Sequence, residues 1–145
     1  MGREIGGAVL GYIVMVLVIF CGLTAAWYAL GVDGAFRPGV YDVSTTWVAI
    51  SIIVGIIAAL AGGRTARAVA KTITGPRILA GLVIVLGILS ALPGLSMDPA
   101  SAVRDPSLSM FDAMAQARTP VWVLFLNPVI GAIGALIGGN ALQKN

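Results

Sequence analysis

Asp98, Asp105 and Asp112 recur at seven-residue intervals, which would align them on one face of a helix. Carboxylates so aligned could serve acid–base catalysis or hold calcium. The spacing is unlike an EF-hand, however, and Asp98 and Asp105 each precede a proline, Pro99 and Pro106. Helix capping and turn formation account for both residues. Asn127 lies in an apolar run just before Pro128, where a side-chain amide must find a partner. It could face a quinone or a lipid headgroup; an interhelical hydrogen bond is the simpler role. Asn140, near the end of the same run, suits a cap. The single Cys21 has no partner for a disulfide and no second ligand for zinc, so packing is its expected role.

Histidine is absent, which removes the common axial ligand of haem and related pigments. None of the four apolar runs contains Asp, Glu, Lys or Arg. Proton-coupled carriers, ion pumps and voltage sensors place ionisable groups at membrane depth, and this chain alone cannot. No catalytic residue, metal ligand or cofactor is therefore expected.

The remaining charged chemistry is concentrated between Gly62 and Arg77, which holds Arg64, Arg67, Lys71 and Arg77 out of 9 basic residues. Helical spacing would put Arg64, Arg67 and Lys71 on one face and Ala66, Val69, Ala70 and Ile73 on the other. A short amphipathic helix over 64–73, lying on the membrane surface, follows from that division. Its charged face suits anionic lipid headgroups or an acidic partner protein. Gly75-Pro76 then restarts the chain into the bilayer.

The elements that position these residues are membrane spans. Hydrophobic residues make up 59% and charged residues 10%, with mean hydropathy +1.00, far from the roughly 25% charge of soluble domains. Net charge is +3, but the charges fall between apolar runs, so the basic balance reports topology and not nucleic-acid binding. Spans are predicted at 5–30, 47–63, 78–92 and 121–142, in one membrane domain covering 1–145. The first is too long for the apolar core of about 7–15 residues in a cleaved signal peptide, and is expected to remain as a span. At 1.5 Å per residue it would reach about 39 Å, more than a hydrocarbon core of ~30 Å, so it should tilt or protrude. The third closes at Pro93-Gly94, with Pro76 and Arg77 in the interface, and Pro128 is a candidate kink in the fourth.

Glycine, proline and aspartate between Gly31 and Thr46 mark an aqueous loop. In the longer connection from Gly94 to Pro120, Asp105-Pro106 reads as a helix start. Leu108, Phe111, Met114 and Ala115 follow at helical spacing, giving a second short amphipathic helix within 105–117. The fold class is thus an all-α integral membrane protein, a four-transmembrane-helix antiparallel bundle with short surface helices in both loops.

Four spans put both termini and the Gly62–Arg77 stretch on one side, with Arg3 and Lys144. The other side has Arg37, Arg104 and Arg118. The positive-inside rule makes the first side cytoplasmic, in a bacterial inner membrane. Trp27, Trp47 and Trp122 all fall at the opposite ends of their spans, as interface anchors.

Because lipid is as apolar as leucine, helices in a bilayer associate through close packing and polar contacts. Small residues mark the seams: Gly7 and Gly11; Ser51, Gly55 and Gly62; Gly87 and Ala91; and Asn127, Gly131, Gly134 and Gly138. Seams on every span, without membrane-depth charge, point to a non-catalytic accessory or scaffolding subunit that packs against other membrane subunits. An oligomeric transporter or channel for a small neutral or apolar solute is the alternative. A membrane enzyme or quinone/lipid binder using the loop carboxylates or Asn127 is the third.

Overall fold

Uncharged apolar runs can satisfy their backbone groups in lipid only as helices or closed barrels, and these runs are helices. A computed structural model describes residues 1–95 and 109–141. It comprises α1 (Gly2–Ala35), α2 (Thr45–Ala70), α3 (Thr74–Leu95), α4 (Met110–Gln116) and α5 (Val121–Ala141), with no strand among the described residues. All but α4 are long and apolar enough to cross a membrane, so the chain is an integral membrane protein built as a four-helix bundle. α1 and α5 each pack on both α2 and α3, and α2 touches α3 between them. One end of the bundle collects the start of α1, the α2–α3 turn and the end of α5. It is the basic end. The other, aromatic, end carries the tryptophans and α4.

α1, α2 and α3 run beyond their predicted limits, whereas α5 begins at the predicted Val121. Thirty-four residues of α1 would reach about 51 Å if straight. Gly31, at φ 64° and ψ −176°, breaks the helical path, and the turn beyond it is re-aimed before ending at Phe36. Ser44 then fixes the entry of α2: its hydroxyl accepts from the Trp47 N–H at 3.0 Å and donates to the Gly34 carbonyl at 2.6 Å. One side chain thus caps α2 and ties it to the end of α1.

The largest departure from expectation concerns residues 64–73. They do not form a separate surface helix; α2 continues through Arg64 and Arg67 to Ala70 and stops where Lys71 turns left-handed at φ 59°. The apolar face that would have lain on lipid instead packs inside the protein, with Ala66 and Ala70 buried beside Gly7 of α1. That tertiary contact sustains the helix across Gly62-Gly63, a pair that would weaken it in isolation.

Pro76 opens α3 in its first turn, as its position suggests, and is fully buried in the protein, whereas Arg77 is exposed. Pro93 sits inside the last turn of α3, which extends to Leu95. Pro128 is accommodated within α5. α4 falls within the predicted 105–117 but begins at the cap Ser109, whose hydroxyl accepts from the Asp112 N–H at 3.2 Å. Ala113 faces inward, and Phe111 and Met114 outward. Asp98, Arg104, Asp105, Pro106 and Lys144 lie outside the described residues.

Candidate functional site

Two structural regimes divide the bundle. Towards the basic end the backbones touch. A Cβ on Gly7 would stand 2.7 Å from the Ala66 carbonyl oxygen, and one on Gly11 2.6 Å from that of Gly62. On the neighbouring face of α2, a Cβ on Gly63 would fall onto the Ala135 backbone of α5, and one on Gly138 onto the Leu60 carbonyl. Gly134 meets the Ala59 methyl, and Gly139 meets the Pro76 ring of α3. Gly62 and Gly63, about 100° apart around the helix, thus serve different neighbours. The core here is mostly alanine and glycine around Leu79 and Met15.

Nearer the aromatic end the helices part. A cleft of about 350 Å³ is lined from all four spans, and its polar groups are Tyr12, Ser51, Ser90 and Asn127. Not every small residue of the expected α2 and α5 seams packs within this chain. Gly55 has nothing within 4 Å of its would-be Cβ, and it borders the cleft. Ser51 also lines it, its hydroxyl donating to the Val48 carbonyl of its own helix at 2.8 Å. Asn127 is exposed and off the seam; the next residue, Pro128, is buried and seats its ring against Gly87. Gly131, Gly134, Gly138, Gly87, Gly62, Gly7, Gly11 and Ala91 occupy packed positions.

Polar chemistry in the cleft converges on one side chain. Ser90 donates to the Gly87 carbonyl at 3.0 Å, so both serine hydroxyl protons are engaged within their own helices. The Asn127 amide makes no hydrogen bond among the described residues. An amide group left unbonded in an apolar medium costs roughly 2–7 kcal/mol in transfer terms, so this group has a demand for an acceptor.

Towards the aromatic end, Ser90 and Leu124 also line a second cavity of about 410 Å³, whose charged residues are Arg37, Asp42 and Arg118. Backbone pairing builds this cavity: the Arg118 N–H donates to the Tyr41 carbonyl at 3.0 Å, and the Val43 N–H to the Arg118 carbonyl at 3.1 Å. Arg37 is brought back to Asp42 by a 2.8 Å bond from its N–H to the Asp42 carbonyl. Sequence reasoning missed this cluster because residues 41–43 and 118 are far apart in the chain and short isolated bridges leave no periodic signal.

A third cavity, about 360 Å³ and almost wholly apolar, lies between α1 and α4 beside Trp27, Phe36 and Trp47. Trp27 makes edge-to-face contacts with Phe36 and Trp47, both at 6.2 Å between centroids. These two tryptophans pack partly within the protein, whereas Trp122 is 59% exposed.

At the basic end, Arg3, Arg64, Lys71 and Arg77 are exposed and Arg67 is half-buried. Glu4 is the one acidic side chain among the described residues there, and it pairs with the Met1 amino group at 3.1 Å while accepting from Thr72 at 3.3 Å. The predicted headgroup or partner contacts therefore stand together and without carboxylate partners among the described residues. No group of three His, Cys, Asp or Glu able to hold a metal ion occurs among the described residues.

No protein-family model matches the chain, and no curated protein or solved structure is similar enough to lend it a function.

Proposed function

We propose that the chain is a non-catalytic accessory or scaffolding subunit of a larger membrane complex, in a bacterial inner membrane, with its basic end in the cytoplasm. The observation that carries this is the basic end of α2. At 26 residues, α2 reaches about 39 Å, beyond the ~30 Å a hydrocarbon core requires. Its last turns carry Arg64 and Arg67 on a helix held against α1 at Gly7 and Ala66, with Lys71 at the cap. A rigid cationic projection offers an acidic partner a preorganised surface, so little ordering entropy opposes docking.

Lateral packing through glycine seams, the mode that spacing alone suggests, has less support, because most of those glycines meet helices of the same chain. Partner contact moves to the basic end. Its orientation towards the cytoplasm rests on the excess of Lys and Arg there.

Purification of the full chain from its native membrane in mild detergent tests this function. A stoichiometric partner subunit is expected, and it should be lost from the triple variant Arg64→Gln, Arg67→Gln, Lys71→Gln. A chain that purifies alone, or a partner retained equally by the triple variant, would refute the proposal.

A further inference from the structure

We infer that the adjoining cleft and charged cavity near the aromatic end form a binding site for one zwitterionic glycerophospholipid of the phosphatidylethanolamine class. Three observations converge on it. The two cavities share Ser90 and Leu124 as walls, so they lie next to each other along a line from the aromatic end into the bundle. Charge is confined to one end of that line: beside Arg118, Arg37 offers a guanidinium group to a phosphate, and Asp42 offers a carboxylate to an ammonium. Asp42 makes no salt bridge among the described residues. Below the charges, the cleft contains the one amide that lacks a hydrogen bond, Asn127, and beyond it only apolar side chains and Tyr12.

This gradient matches a glycerophospholipid group by group. Asn127 lies six residues into α5, about 9 Å from that helix's end at the aromatic side, and Ser90 lies about 8 Å from the corresponding end of α3. In the lipid, ester carbonyls come next below the phosphate and accept but cannot donate hydrogen bonds. The Asn127 NH2 donates and needs an acceptor at that level. An acyl chain then continues beside Leu86, Val83 and Met15. A quinone would satisfy Asn127 and the apolar wall but leave Arg37 and Asp42 without a role. An anionic lipid would leave Asp42 facing a headgroup with no cation.

Native mass spectrometry of the full chain, exchanged in detergent with phosphatidylethanolamine, phosphatidylglycerol or diacylglycerol, decides it. One phosphatidylethanolamine per chain is expected to survive transfer, with the other two retained about fivefold less or worse. Arg37→Ala and Asn127→Leu should each lower its occupancy roughly fivefold, the loss of one charge-assisted or amide hydrogen bond. Asp42→Asn should abolish the preference over phosphatidylglycerol, and Ile137→Ala, on a lipid-facing surface remote from the site, should change nothing. Equal retention of the three lipids, or of phosphatidylethanolamine by Arg37→Ala and Asn127→Leu, overturns the assignment. The unmodified chain supplies a test that does not depend on variant folding. Phosphatidylethanolamine with a photoreactive acyl chain should label residues 83–90 or 124–131; labelling confined to other faces overturns the proposal whatever the variants do.

Discussion

Gly63→Ala adds a single methyl at the point where α2 and α5 are closest, and its cost can be worked from the geometry. The new Cβ would fall onto the Ala135 carbonyl group, whose oxygen is nearest and whose carbon would stand 2.7 Å away against an ordinary contact of 3.4–4 Å, and the atoms in the way are backbone. No side-chain rotation can relieve that overlap, so the helices must separate by about 1 Å or more. A gap of roughly 0.5–1 Å forfeits a quarter to a half of the dispersion energy of each contact it opens. The neighbouring pairs Gly138–Leu60 and Gly134–Ala59 lie on the same interface and would open with it. In lipid these contacts are the main force between helices, so the loss is expected at about 2–3 kcal/mol, the range of overpacking. Gly55→Ala is the internal control on the same helix, since its Cβ would meet nothing within 4 Å. Helix propensity alone should make it neutral or stabilising by up to ~1 kcal/mol. Reversible unfolding of both variants in mixed detergent measures the difference directly. Equal stabilities, or a Gly55→Ala variant that loses more than Gly63→Ala, would refute the assignment of the α2–α5 seam.

Three further outcomes follow from particular contacts. Ser44→Ala removes the cap of α2 and the 2.6 Å tie to Gly34, and should lower stability by about 1–2 kcal/mol in the same unfolding assay, with Ser44→Asn recovering part of the loss. Trp27→Leu should remove much of the near-ultraviolet circular dichroism, because Trp27 joins Phe36 and Trp47 into one edge-to-face cluster; Trp122→Leu, at an exposed site, should change that spectrum little. Neutralising Arg64, Arg67 and Lys71 should weaken association with anionic vesicles by roughly 1 kcal/mol per charge, measured by flotation of protein reconstituted in neutral nanodiscs. Unchanged flotation would mean that these side chains do not face headgroups.

Four apolar runs without charge were legible as spans, because hydropathy reports burial in lipid without any knowledge of neighbours. Helix ends were less legible. Gly62-Gly63 followed by arginines has the composition of a stop signal, yet the glycines admit α1 and α5 on two faces and the helix continues to Ala70. Spacing recovered Gly131, Gly134 and Gly138 as a seam, but extended it to Asn127, when Pro128 is the residue that enters Gly87. A proline reads as a break in a sequence and here acts as a packing surface. Gly55 illustrates the converse: a small residue at seam spacing borders a cleft when the facing helix diverges. The Arg37, Asp42 and Arg118 cluster depends on a pairing between distant segments, and no local pattern announces it.

Gly62 and Gly63 also bear on the order in which the protein can be put together during synthesis. α1 and α2 are close in sequence, joined through the short bridge of Phe36 with Val43, and their contact through Gly11 and Gly62 needs nothing made later. The Gly63 side of α2 lacks its closest contact until α5 has left the ribosome and inserted, because the atoms nearest a Gly63 Cβ all belong to Ala135. The last helix therefore acts as the closing piece, and a nascent chain that has not yet reached Val121 exposes a strip of bare backbone on which an insertase or another small-residue helix can rest.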